Sequence, residues 1–284
     1  MHGVARASAA ITVVNALPTG VGCALGIARY ASASVDLTLA PEHSVECLPS
    51  KSSTPLVRAS VLAALEQFAG GRHFETALRL SSEIPMAKGL KSSSAVATAS
   101  ILAVARACDL EPLPLEVARL AADVGRAVGV SATGALDDAL AGLRAGFVIT
   151  DNRRGELIAE APIDPDWSAV LFIPPGTHPA APSLRARFEG AREEGARAVA
   201  EAVALRFAGA MARNTRLVER LMGYDYGPLR TELLSHGAVA VGVSGLGPAL
   251  AAMVPSAHVT EVMAALPRGA GERCSVRLTQ ELPS

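Results

Sequence analysis

The amino-acid sequence predicts an α+β protein in two halves, and three observations carry that prediction. Short stretches of two-residue alternation are interleaved with helical stretches, with no long run of either kind. Around 160–166, APIDPDW holds two prolines and little periodicity, which divides the chain into domains 1–160 and 161–284. Half of the 284 residues are hydrophobic and only 19% are charged, so a large core is available.

Each element follows in order. Residues 3–15 alternate loosely and carry β-branched side chains, which predicts a strand. PTGVG (18–22) is a glycine loop, and SVDLTLA (34–40) alternates like a half-buried strand. Thr54-Pro55 opens a helix to about Phe68, with proline at its first position and Gly70-Gly71 past its end. HFETALRLSSEI (73–84) alternates again. A serine loop leads into a helix to about Cys108, and Pro114 starts another that ends near Gly129. SATG is a turn before ALDDALAGL, and GFVITDNRRGELI reads as two strands around a polar turn. Beyond the boundary, SAVLFIP is a buried strand and PPGTHPAAP a loop. A helical stretch runs from about 183 to 222, broken near Gly209, and a further helix covers 227–235. GAVAVGVSGLGPALAAMV reads as strand, glycine loop and helix, with Pro248 in the helix's first turn. Residues 257–266 are helical and SVRLTQ is a last strand. The order strand–helix–helix–strand–helix–strand suits a ferredoxin-like second half, and no fixed repeat occurs.

Composition narrows the function. A net charge of −1 and the lack of any basic tract make nucleic acid a poor partner. Cys23, Cys47, Cys108 and Cys274 lie far apart without a C-x-x-C pair, which fits reduced packing residues and neither a zinc site nor a disulfide framework. No H-E-x-x-H is present. Thr12 and Asn15 interrupt the first apolar run, so a signal peptide is not expected. No uncharged span reaches the ~18 residues a membrane crossing requires, and the cytoplasm is the default compartment.

Chemistry gathers in a few loops. In PMAKGLKSSSAVATA (85–99), Pro85, Lys88, Gly89, Leu90 and Lys91 precede Ser92, Ser93 and Ser94, and Ala95 begins an apolar run. Serines compete for backbone groups inside helices but are favoured at helix starts. Gly89 lets backbone pass close to a ligand. The amides of Lys91 to Ser94 fall where a helix leaves its N–H groups unpaired and its dipole positive, which makes a phosphate cradle. The hydroxyls add donors, one of them able to ligate Mg²⁺, and Lys88 and Lys91 add charge. A solvated helix cap is the plainer alternative, and no Walker-type G-x-x-x-x-G-K-[ST] occurs.

In SATGALDDAL (131–140), Asp137 and Asp138 complement a helix start. If one of them points into the serine-loop cleft, it can accept a proton from an alcohol or orient that alcohol. Spacing alone does not choose between these readings. GVSGLGP (242–248) is a glycine loop whose spacing does not fit a dinucleotide fingerprint.

Taken together the motifs resemble those of the GHMP small-molecule kinases. P-x-x-x-G-L-x-S-S-S-A at 85–95, an N-terminal strand with a glycine loop, and a late S-G-x-G turn form that superfamily's three-motif pattern. EIPMAKGLKSSSA (83–95), TGALDDA (133–139), FVITDN (147–152), SGLGPALAA (244–252) and VVNALPTGVGCALGI (13–27) are similar to the archaeal-type shikimate kinases over nearly the whole chain. The resemblance implies a first domain like the second domain of ribosomal protein S5, a ferredoxin-like second domain, and ATP with its phosphates on the serine loop. It further implies Mg²⁺ held by Ser93, with Asp123 where the superfamily often has a metal-binding glutamate. Asp138 matches the catalytic aspartate, with Asp137 as the one-residue alternative. Asn15, Gly20, Thr133, Gly134, Ser244, Gly245 and Gly247 fall in the substrate-site motifs. Arg153, in the TDNRR turn, is the candidate partner of the substrate carboxylate, a solvated turn arginine being the alternative.

The implied reaction is phosphorylation of the 3-hydroxyl of shikimate. Other small alcohols such as homoserine or a mevalonate-type compound, and a catalytically silent nucleotide sensor, are the rivals. Two positions depart from the pattern: Val21 stands where the family often has lysine, and Leu246 where it often has threonine.

Overall fold

The computed structural model describes residues 1–50, 54–177, 186–188 and 190–279. Strand β1 (His2–Val14) runs antiparallel to the long β2 (Val21–Leu39), which organises the first sheet. On its other edge β2 pairs with β5 (Phe147–Asp151) through Val21–Leu25, and with β4 (Phe74–Ser82) through Ala31–Leu39. The gap between them is filled from the far end of the chain, where Leu278 bridges Ile27 and the Thr279 amide donates to Gly26 O. β3 (Ser44–Leu48) lies parallel to β4, and β6 (Glu156–Ala161) antiparallel to β5.

Helices α1 (Pro55–Phe68), α2 (Ser92–Ala107), α3 (Pro114–Ala127) and α4 (Leu136–Ala141) belong to this half. α1 starts as expected, the Thr54 hydroxyl accepting from the Val57 amide and Pro55 taking the first position. α2 is alanine-rich and buried along nearly all its length, against β1 and β2 on one side and α1 and α3 on the other.

The second sheet has the order β10-β7-β9-β8, all antiparallel, from β7 (Trp167–Ile173), β8 (Ala240–Val243), β9 (Leu250–Pro255) and β10 (Glu272–Arg277). Helices α5 (Arg192–Val203), α6 (Phe207–Met222) and α7 (Gly227–Ser235) connect β7 to β8, and α8 (Val259–Ala265) connects β9 to β10. That is the ferredoxin-like arrangement expected from the sequence, reached with one strand more. β7 and β9 divide their two faces between two cores, as a two-residue period demands. Ala169, Leu171, Ala251 and Met253 join the core that continues under β1 and β2, whereas Val170, Phe172, Ala252 and Val254 join a second core with Val218, Leu233 and Val262.

Four details differ from the sequence expectation. PALAAMV is not a helix: Leu250–Pro255 is strand β9, and Pro248 lies in the loop before it. Both faces of β9 are buried, so its sequence is uniformly apolar and lacks alternation. β2 begins at Val21, 13 residues before the expected strand, through glycines and alanines that carry little strand propensity. β3 was not expected at all. The break between α5 and α6 lies at Ala204–Arg206, where Leu205 takes φ +59° and Arg206 Nε holds Glu201 at 2.7 Å, while Gly209 sits inside α6. Residues 183–185 and 189 of the expected long helix, 178–182 of the loop before it and Gln280 of the last strand lie outside the described residues. Among the described residues, no helix is long and apolar enough to cross a membrane.

Candidate active site

The loop before α2 passes through left-handed backbone at Ala87 (φ +54°), Gly89 (φ +85°) and Lys91 (φ +68°), the last being the residue that opens the helix. This path brings Gly89 against the loop between β8 and β9. A Cβ on Gly89 would stand 2.0 Å from the Ser244 carbonyl oxygen. The Ser244 hydroxyl donates to Gly89 O at 2.7 Å and accepts from the Thr12 amide at 3.1 Å. Thr12 Oγ1 in turn accepts from the Gly245 amide at 2.9 Å, and Asn15 Nδ2 donates to Gly245 O at 3.2 Å. Strand β1, the serine loop and the β8–β9 loop are thus one interlocked unit. It presents the first turn of α2, which carries no acidic residue. The hydroxyls of Ser92, Ser93 and Ser94 make no hydrogen bond among the described residues. Free hydroxyls beside unpaired amides at a positive helix end suit a phosphate.

Helix α4 starts after Ala135 (φ +54°) and places Asp137 and Asp138 in its first turn, both buried. Lys91 Nζ lies 3.0 Å from Asp138 Oδ1, each side chain being only 11% exposed. Beyond this ion pair, Asp138 Oδ1 accepts no hydrogen bond. Asp137 Oδ1 accepts from Asn152 Nδ2 at 2.8 Å, and Asn152 Oδ1 accepts from Thr150 Oγ1 at 2.6 Å. The Asp137 carboxyl rests on the backbone of β2: a Cβ on Gly22 would meet its Oδ2 at 2.3 Å.

Burial, and secondly the charge of Asp138, push Asp137 up to about 7, against the opposing pull of Lys91 and Asn152. Asp137 therefore still carries a proton below neutral pH, where a free carboxyl has lost its own. The consequence for stability has a definite sign. Between pH ~4 and ~7 the folded state binds more protons at Asp137 than the unfolded state, so the stability gained from the protonated form is lost as pH rises through about 7. Asp137→Asn removes that slope. Urea denaturation at pH 5 and pH 8 is expected to show the parent losing stability relative to the variant, and parallel pH profiles would refute it.

Both carboxyls open on a cleft of about 1210 Å³. Its lining includes the apolar Leu56, Val57, Leu80, Ile84, Met86 and Val96 as well as Lys91, the three serines and the aspartates. Of the residues expected from the sequence, Asn15, Pro85, Gly89, Leu90, Lys91, Ser92, Ser93, Ser94, Thr133, Gly134, Asp137, Asp138 and Gly245 line it.

Others lie elsewhere. Lys88 does not face the serines: its Nζ donates to Pro174 O at 2.7 Å and to Gly176 O, holding the loop after β7. Ala95 is core. Ser244 and Gly247 back the loop, Gly247 lying against the Tyr224 ring. Asp123 is not brought to Ser93; it is 65% exposed and ion-paired to Arg126 one helical turn on. Arg153 packs over Gly20 and lines a separate side cavity together with Asp123, beyond Asn152. Asn152 and Thr12 are the residues that sequence reasoning did not single out. Asn152 had a signal in the T-D-N triplet, whereas nothing local marks Thr12.

Residues 56–146 match the family model of the GHMP kinases N terminal domain. The structure is similar to that of Lactococcus lactis galactokinase complexed with galactose, with a TM-score of 0.76 at 12% identity, covering 100% of this chain and 95% of that one. The architecture is therefore that of a GHMP kinase. The shikimate kinase of Methanosarcina acetivorans is 35% identical over 274 residues, 93% of this chain and 89% of the relative. That of Pyrococcus abyssi is 35% identical over 260 residues, 89% of this chain and 92% of the relative. The chain belongs to the GHMP-type shikimate kinases, and ATP is its family's phosphoryl donor.

Proposed function

We propose that the protein transfers the γ-phosphoryl group of ATP to the 3-hydroxyl of shikimate, giving ADP and shikimate 3-phosphate. The observation that carries this reading is the buried ion pair between Lys91, at the mouth of α2, and Asp138, at the start of α4. It sets a proton acceptor beside a phosphate cradle, the two elements that phosphoryl transfer to an alcohol requires.

Asp138 orients the acceptor hydroxyl and takes its proton. The freed oxygen forms the new P–O bond as the β–γ bridge breaks, and ADP leaves with the bonding electrons. Lys91 balances the charge on the transferring group, while the amides and hydroxyls of Ser92 to Ser94 hold the phosphates. Asn152 and Gly22 fix Asp137, so that its carboxyl stays behind Asp138. Ser244 acts by positioning, through its bonds to Gly89 and Thr12. Asn15, Thr133 and Gly134, which line the same cleft, are the contacts for the acceptor.

The residues also fit Mg²⁺. This ion keeps much of its water shell and needs only one or two carboxylates besides substrate phosphates. No group of three potential acidic, histidine or cysteine ligands occurs among the described residues. Ser93 would hold the ion together with the substrate phosphates, and when bound it would neutralise phosphate charge.

The test is a coupled assay of ADP release with Mg²⁺ and ATP. Shikimate should raise the rate well above the ATP-only background, and homoserine and mevalonate should not. A chain that responds to another alcohol and not to shikimate would overturn the assignment.

A further inference from the structure

Behind the wall formed by residues 133–137 lies a second cavity of about 180 Å³. Arg119, Arg126, Arg153 and Arg154 line it, with Asp123 as its one lining carboxylate and buried Asn152 beneath. Four guanidinium groups meet three carboxylates, Asp123, Asp151 and Glu156, so one positive charge is left over. Arg126 is paired with Asp123. Arg153 stands 3.5 Å from Asp151, and Arg154 reaches Asp151 and Glu156 only at 4.0 Å. Arg119 has no carboxylate partner among the described residues; its Nε donates to Gly155 O at 2.6 Å, which leaves the terminal amino groups free. Guanidinium groups converging in a concavity focus a positive field and match oxyanions with paired N–H donors. The volume is below the ~300–1,000 Å³ of sites for drug-sized ligands. It admits a phosphate group or a small dicarboxylate and excludes a nucleotide.

We infer that this cavity is a regulatory site for a small dianion, separate from the ATP and acceptor sites. It communicates with the carboxylate pair through two residues. Arg126 donates to Thr133 O at 3.1 Å and to Asn152 O at 3.4 Å, and Asn152 holds Asp137. A dianion competes for Arg126 against these two carbonyls and so loosens both the wall that carries Thr133 and the turn that carries Asn152. Occupancy lowers kcat and leaves the KM for ATP unchanged.

The experiment is calorimetric titration of the whole protein with inorganic phosphate and, separately, succinate. A saturating non-hydrolysable ATP analogue with Mg²⁺ is present, so that the α2 cradle is already filled. Saturable binding of either anion is expected, the two arms telling a phosphate from a dicarboxylate ligand, together with a three-fold or greater fall in kcat at saturation. Arg119→Ala combined with Arg154→Ala should weaken binding at least ten-fold, with kcat in the absence of the anion within two-fold of the parent. Arg154→Ala alone, at a 73% exposed side chain, gives a smaller loss and serves if the double variant is unstable. Four results overturn the inference: no saturable binding of either anion, binding that survives the double variant, displacement of the anion by shikimate, or binding with kcat unchanged. The binding arm needs no turnover, so failure here is distinguishable from failure of the kinase assignment.

Discussion

Asp138→Asn is expected to lower kcat by about 10²–10⁴ while ATP affinity stays within a few-fold. Asparagine has the same shape, so the cleft keeps its form, but it cannot take the proton of the acceptor hydroxyl. It also leaves Lys91, whose ammonium lies 3.0 Å from the Asp138 oxygen, without its counter-charge. That lysine remains at the mouth of α2 and still faces the phosphates, which is why nucleotide binding persists. Steady-state rates with shikimate, paired with nucleotide titration, separate the two effects. Turnover within a few-fold of the parent would remove Asp138 from the chemistry. Asp137 would then be the candidate base, although Asn152 already occupies one of its oxygens.

Gly89→Ala is expected to lower the unfolding midpoint by roughly 10 °C and to raise the KM for ATP at least ten-fold. Two costs add. An L-residue held at φ +85° loses about 1–2 kcal/mol. The new methyl would also stand 2.0 Å from Ser244 O, and such overpacking against backbone costs ~1–3 kcal/mol more. The sum, at ~2–4 °C per kcal/mol for a chain of this size, gives the midpoint shift. Relief requires the serine loop to draw away from the β8–β9 loop, which moves the α2 amides off the phosphates. Gly70→Ala is the control. Gly70 has φ +61° but nothing within 4 Å of its Cβ position, so only the backbone cost applies and ATP binding is untouched. Equal effects at the two positions would mean that the close approach at Gly89 does not matter.

The parts of this molecule that were legible in the sequence are those specified by neighbours along the chain. Thr54-Pro55 marks the start of α1 because a hydroxyl and a fixed φ act within one turn. The serine run marks the mouth of α2, although Lys91 takes the cap position and no side chain caps the helix. β9 was misread because ALAAMV is buried on both faces, and the alternation that reports a strand requires one wet face. Lys88 and Arg153 were expected near ligands because charge next to a motif looks functional, and Asp123 because of its position in the family pattern. The partners of Lys88 and Arg153, the Pro174 carbonyl and the Gly20 backbone, lie far along the chain and are set by the tertiary fold, whereas Asp123 pairs with Arg126 on its own helix. Asn152 shows the reverse. The triplet containing it was noticed, but its grip on Asp137 depends on the register of β5 against β2, which no local pattern reveals.

The Thr12–Ser244 contact joins residues 232 positions apart. A nucleotide seated on α2 therefore reports on a closed circuit and not on a local turn. Its free energy of association is shared by every segment the circuit ties together. Amide hydrogens in β8 and β9 should exchange more slowly when ATP is present. A fragment ending before residue 240 should show no such protection anywhere, because the ring through which it spreads would be open.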